Sequence, residues 1–289
     1  MKNTTIIVGD SSAMPLELIQ KYGMKTVPFI VDWEDGKGIS GENIYEKMRN
    51  VQRQGLKTNP KTSQPAIGAY KKAYDELLAQ NQDIICVTIS SKVSGAHNSA
   101  MQAKKMFNEE AQKRIFILDT MNVDVGEALL AIKGAELIEE GSSAENAFKT
   151  LEGLVPKAHL FGLLENPRWL EAGGRISSAV AGVLEKMQGL GMRPVLGIKN
   201  GEIKPVTLKM RAKDTASALL KEIEGLIKKL PGKYRVAISH ADNIEEGKRL
   251  KKMIEERFPG MKIYFINMTS FVIGTHVGPG AVLVCLLQD

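Results

Sequence analysis

The chain has 289 residues, with 39 Lys and Arg against 33 Asp and Glu, a formal net charge of +6, and 43% hydrophobic and 25% charged residues. That much apolar side chain offsets the entropy of ordering, which excludes a disordered polymer, and no run approaches the roughly 18 apolar residues that span a bilayer. The length fits one large or two ordinary domains, and two are expected, 1–155 and 156–289.

Met1 to Asp10 runs into a strand pattern without a signal-peptide core, so a cytoplasmic location is expected. Strand patterns fall at Thr5–Val8, Thr26–Val31, Ile84–Ile89, Ile115–Leu118 and His159–Leu163. Between them, Leu16–Tyr22 reads as a helix. Tyr70, Ala73, Tyr74, Leu77 and Leu78 recur at the spacing of one buried helix face. Gly126–Ile138 is a further helix, and Ser142-Ser143 caps the next. Near Val155-Pro156 the rhythm changes. Asn200-Gly201 between Pro194–Ile198 and Glu202–Val206 signals a hairpin. A long helix through Ala216–Leu230, a strand at Val236–Ser239, a helix at Ile244–Phe258 and strands at Lys262–Ile266 and Ala281–Leu286 follow. The alternation predicts an α/β protein: a mostly parallel sheet flanked by helices in the first half and a mixed sheet in the second.

Cys86 and Cys285, the only cysteines, sit in apolar strand patterns and read as buried free thiols in a reducing compartment. The pI of about 9.1 raises a nucleic-acid reading. The late lysines and arginines are interleaved with Glu222, Glu224, Glu245, Glu246, Glu255 and Glu256, as on a solvated helix face, and no aromatic side chains alternate with them to stack bases. Nucleic acid is therefore not expected as a partner.

Walker, Rossmann, zincin, C-x-x-C and nucleophile-elbow motifs are missing, and His97, His159, His240 and His276 are too scattered for a metal site. Hydroxyls instead recur where strands should turn into helices: Asp10-Ser11-Ser12, Thr62-Ser63-Gln64 with Pro65 at the first helical position, and Ser90-Ser91-Lys92-Val93-Ser94-Gly95. Helix N-termini beyond the carboxyl ends of strands suit a carboxylate or phosphate, although Ser and Thr are also the ordinary caps there. Asn166–Ala172 reads as a short capped helix stopped by Gly173-Gly174, with Arg175 in the loop behind it. Gly274–Gly280 reads as a Gly/Pro-rich turn between strands that holds His276.

In this order, Asp10-Ser11-Ser12, Thr62-Ser63-Gln64-Pro65, Ser90 to Gly95, Gly173-Gly174-Arg175-Ile176-Ser177 and His276-Val277-Gly278-Pro279-Gly280 resemble the DegV family of bacterial fatty-acid-binding proteins along nearly the whole chain. The resemblance implies two α/β domains enclosing a long-chain fatty acid, with no cofactor. Its carboxylate would be held by hydroxyls that map onto Thr62 and Ser94, with Ser63 and Gly95 adjacent. The family's arginine and histidine near the tunnel mouth map onto Arg175 and His276, and Arg211 resembles a further arginine linked to a kinase partner. The implied role is the acyl-binding subunit of a two-component fatty acid kinase. It would have no independent catalytic activity, would make only transient membrane contact, and would present its ligand for phosphorylation to acyl phosphate on the way to phospholipid synthesis. This sequence departs from the family's usual S-G-T and T-D-S-T at Ser94-Gly95-Ala96 and Gly9-Asp10-Ser11-Ser12. Burying about 16 methylenes at roughly 0.8 kcal/mol each gives a gross gain of about 13 kcal/mol, so hydroxyls suffice to orient the head. A stand-alone hydrolase or phosphotransferase acting on a small anionic substrate is the alternative.

Overall fold

The computed structural model describes residues 3–210 and 214–289. The first half contains β1 (Thr4–Gly9), α1 (Leu16–Tyr22), β2 (Lys25–Val27), β3 (Ile30–Asp32), α2 (Ile44–Gln54), β4 (Lys61–Ser63), α3 (Ile67–Ala79) and β5 (Asp83–Thr88). It continues through α4 (Ala96–Lys104), α5 (Glu109–Lys113), β6 (Ile115–Asp119), α6 (Val125–Glu139) and α7 (Ala144–Leu154). A four-stranded sheet runs β2-β1-β5-β6, parallel at every junction, while β3 and β4 form a separate antiparallel ribbon in which Val31 faces Thr62.

The second half contains β7 (Ala158–Leu163), α8 (Arg168–Ala172), α9 (Ser178–Gly189), β8 (Met192–Lys199), β9 (Glu202–Met210) and α10 (Thr215–Lys229). It closes with β10 (Tyr234–His240), α11 (Ile244–Arg257), β11 (Lys262–Met268), α12 (Phe271–Val277) and β12 (Val282–Gln288). Its six-stranded sheet runs β11-β10-β12-β7-β8-β9, parallel only between β10 and β11. The chain passes from one sheet to the other at the turn Val155–Lys157.

Strand periodicity explains the layering. Ile6, Val8, Ile85 and Val87 face the central core, whereas Ile7, Ile84 and Cys86 face the opposite way against Tyr70 and Tyr74 of α3. In the second sheet Ala237, Leu283, Cys285 and Leu287 share that same central core, and Val236, Ile238, Val284 and Leu286 pack outward with Leu219 and Ile223 of α10. Helix α6 lies between the two sheets. It is apolar around its circumference, with Leu129, Leu130 and Ile132 fully buried, as expected of a helix enclosed on all sides. On α10 and α11 the basic residues pair with acidic neighbours, Lys251 with Glu255, Lys252 with Glu256 and Arg257 with Glu224.

Three local readings are corrected. The pattern Thr26–Val31 splits into β2 and β3 around Pro28, which has no N–H to donate to a ladder. Thr62 and Ser63 lie on β4, not at a helix cap: α3 starts at Ile67 behind Ala66, and Gln64, preceding a proline, is steered away from helical geometry. Gly274–Val277 is the second half of helix α12, whose Ser270 side chain accepts from the Ile273 N–H. Seven residues are too few for a legible helical period, so only the glycines showed in the sequence.

Candidate functional site

The segments at the carboxyl ends of β2, β4, β5 and β6 meet α12, α8 and the β8–β9 hairpin around one cavity. Ile89, Val93, Val123, Leu170, Ile273 and Val277 make much of its wall apolar, and Thr62, Gln64, Ser94, Arg175 and His276 supply its polar groups. This is the position at which open parallel sheets accept ligands.

Of the residues singled out from the sequence, Thr62, Ser94, Arg175 and His276 line this cavity together. Gly95 caps α4 directly behind Ser94, and the Ser94 hydroxyl accepts from the Ala96 N–H at 3.3 Å. The Ser63 side chain is exposed and is not among the lining groups. Arg211 lies outside the described residues. The Asp10-Ser11-Ser12 loop turns away from the cavity, because Ser11 is fully buried and donates to Glu127 of α6 at 2.9 Å. Asp10 instead accepts from the N–H of Phe29, whose ring lines the cavity. His97 shares a hydrogen bond with Thr88 on β5 and is not among the lining groups.

Gln64 belongs to the site and was passed over as a candidate, although it stands inside the T-S-Q-P motif. Its amide lies so close to Gly95 that a Cβ at that position would meet Nε2 at 2.9 Å. The backbone amides and hydroxyls around Ser94 are therefore flanked by a carboxamide that both donates and accepts.

His276 is 8% exposed, and its Nε2 shares a 2.8 Å hydrogen bond with Thr62 Oγ1. Burial, reinforced by the Arg175 charge, lowers its pKa from 6.5 to about 4, so the ring is neutral at pH 7. Nδ1 is buried and has no hydrogen-bond partner among the described residues. An unpaired buried N–H is less tolerable than an unpaired lone pair, which assigns the proton to Nε2. The ring then donates to Thr62, and the Thr62 hydroxyl hydrogen is released to point into the cavity. A nucleophile–histidine–acid relay needs a third group on the histidine's other nitrogen, and here that nitrogen faces Gly173: a Cβ on Gly173 would sit 2.1 Å from Nδ1.

Arg175 is half-buried. Its guanidinium donates to the Gly173 carbonyl, and no carboxylate among the described residues pairs with it. Desolvation lowers its pKa without discharging it, so the cavity holds one uncompensated positive charge beside neutral donors. Fully buried Asp124, at the start of α6 with φ +53°, accepts from Thr269 just before α12 and so ties the histidine's helix to the central one. Among the described residues no His/Cys/Asp/Glu group could hold a metal ion, and no helix is long and apolar enough to cross a membrane.

The model of the DegV family matches residues 4–289. A fatty acid-binding protein of Thermotoga maritima is 31% identical over 96% of this chain and 95% of its own length. Protein DegV of Bacillus subtilis is 27% identical over 98% of both chains. A solved Thermotoga maritima structure reported to reveal a fatty acid binding function superposes with a TM-score of 0.81 at 28% identity, covering all of both chains. A fatty-acid-binding DegV family protein from Thermus thermophilus shares the fold, with a TM-score of 0.84 at 24% identity over 99% of this chain and 100% of that one.

Proposed function

The chain belongs to the DegV family, and we propose that it binds a long-chain fatty acid in the cavity between its two sheets and presents the carboxylate to a separate kinase subunit. One observation carries the reading: polar residues from distant segments, Thr62, Gln64, Ser94, Arg175 and His276, line one cavity whose remaining wall is apolar. The arrangement suits an amphiphile with one anionic end.

In this reading the Thr62 hydroxyl, oriented by His276, and the Ser94 hydroxyl donate to the carboxylate, with Gly95 adjacent to Ser94, while the exposed Ser63 stands outside the head-group site. Arg175 adds long-range attraction without a two-pronged clamp. The carboxylate oxygens thus stay available for transfer of a phosphoryl group, and Arg175 and His276 lie beside the added charge or the docked partner. Arg211 is assigned to the same partner. The site supplies positioning, and the kinase supplies the phosphoryl donor and the chemistry. The acyl phosphate would pass to phospholipid synthesis, with only transient membrane contact and a cytoplasmic setting.

The test is native mass spectrometry of the purified protein followed by denaturing extraction. A co-purifying fatty acid, depleted in Thr62→Ala/Ser94→Ala, is the expected result. Empty protein that takes up no added fatty acid would overturn the proposal.

A further inference from the structure

The cavity walls come from both halves of the chain, so a buried acyl chain enters only if one wall moves. Most walls are pinned. Helix α12 is tied through Thr269 to Asp124, and its residues Val272–Val277 are all buried. Helix α8 is joined by Arg168 to Glu185 of α9, with Trp169 and Leu170 buried beneath it.

The tip of the β8–β9 hairpin is held differently. Strand β8 registers with β7 only at Phe161–Gly197 and Gly162–Leu196, and β9 is the edge of its sheet, so residues Ile198–Ile203 overhang the ladder. The tip forms a thin partition. Ile203 lines the cavity on one side, while Ile198, Asn200 and Gly201 line a separate cleft of about 760 Å³ on the other. Its end is latched onto the loop that leads to Ser94. The fully buried Ser90 hydroxyl donates to the Gly201 carbonyl at 2.8 Å, and the Ser94 N–H donates to the Ser90 carbonyl at 3.1 Å. Gly201 sits in the left-handed region at φ +80°, and a Cβ there would meet Ser90 Oγ at 2.7 Å and Met121 at 2.9 Å. A side chain there is strained by the backbone and presses directly on Ser90.

We infer that the hairpin tip Ile198–Ile203 is the gate through which the acyl chain enters and leaves, with Ser90–Gly201 as its latch. The inference rests on the fatty-acid reading above. Swinging the tip into the neighbouring cleft breaks the Ser90–Gly201 hydrogen bond and lifts Ile198 and Ile203 off the central core on which they pack, leaving the Thr62–His276 pair untouched.

The test compares uptake and release of cis-parinaric acid in the full chain and in a Ser90→Cys/Gly201→Cys variant, for which the proximity of Ser90 Oγ to the position 201 side chain suits a disulfide. Oxidised protein is expected to exchange the probe an order of magnitude more slowly, with dithiothreitol restoring the rate. Ser90→Ala is expected to speed uptake and release alike, by about fivefold, the kinetic equivalent of one hydrogen bond, with Kd nearly unchanged. Unaltered exchange in both variants overturns the gate while leaving the binding reading intact. Wild-type protein that never takes up the probe defeats the fatty-acid reading itself.

Discussion

Thr62 and His276, 214 positions apart, meet at 2.8 Å, and the contact fixes which hydroxyl faces the cavity. The neutral imidazole donates, the threonine accepts, and the threonine's own proton is left for a ligand. His276 thus works through Thr62, as a positioning residue.

The pair should behave as a unit. Thr62→Ala and His276→Gln are each expected to weaken fatty-acid binding by roughly five- to thirtyfold, about 1 to 2 kcal/mol for a hydrogen bond to a charged head. The double variant should lose little more than either single one, because removing His276 already misdirects Thr62. Isothermal titration of all four proteins measures the coupling; strictly additive losses would show that the two residues act separately.

Gly173 should matter more than Gly174 for binding. Alanine at 173 drives a methyl group into His276 Nδ1 at 2.1 Å, whereas at 174 it meets nothing within 4 Å and suffers only the φ of +72°. Both variants are expected to lose stability, about 1 to 3 kcal/mol for the overpacked site and roughly 1 kcal/mol for the strained one. Only Gly173→Ala should also lower fatty-acid affinity. Thermal melts paired with binding curves separate the two effects, and equal loss of affinity in both would remove the glycine–histidine contact from the mechanism.

The unbroken apolar runs Ile6–Val8 and Ile84–Val87 were readable as strands because both faces of that sheet are buried, and the asparagine–glycine turn at 200–201 was readable because its backbone, with φ of +52° and +80°, demands those residues. Helix α12 was not, since seven residues between glycines carry no period. The motif spacing named Thr62, Ser94, Arg175 and His276 as candidates. It did not convey that Ser11 turns inward to Glu127, because a buried carboxylate on α6 is visible only once the helix is seen between two sheets. Gln64 was missed for a related reason: its partner across the cavity wall is a glycine, which leaves no trace in a pattern of side chains.

The histidine and the carboxylate that position α12 should pull pH stability in opposite directions. His276 titrates near 4 in the folded chain against 6.5 when unfolded, so between those values the unfolded state binds more protons. Stability from this group is complete above pH 6.5 and is lost as the pH falls toward 4, by about 3 kcal/mol in all. Asp124 runs the other way. Burial, only partly offset by hydrogen bonds from Thr269 and the Val125 N–H, raises it from 3.8 to about 6. The folded state therefore binds more protons across that window, and stability falls as pH rises through it, again by about 3 kcal/mol. Glu127 is raised by burial as well and adds to the second slope. From pH 4 to 6 the histidine and Asp124 oppose each other in the wild type. Relative to it, His276→Gln should steepen the decline in stability with rising pH, and Asp124→Asn should tilt the profile upward. Urea unfolding of the three proteins at half-unit steps reads both slopes, and parallel profiles would mean that neither group titrates differently in the folded and unfolded chain.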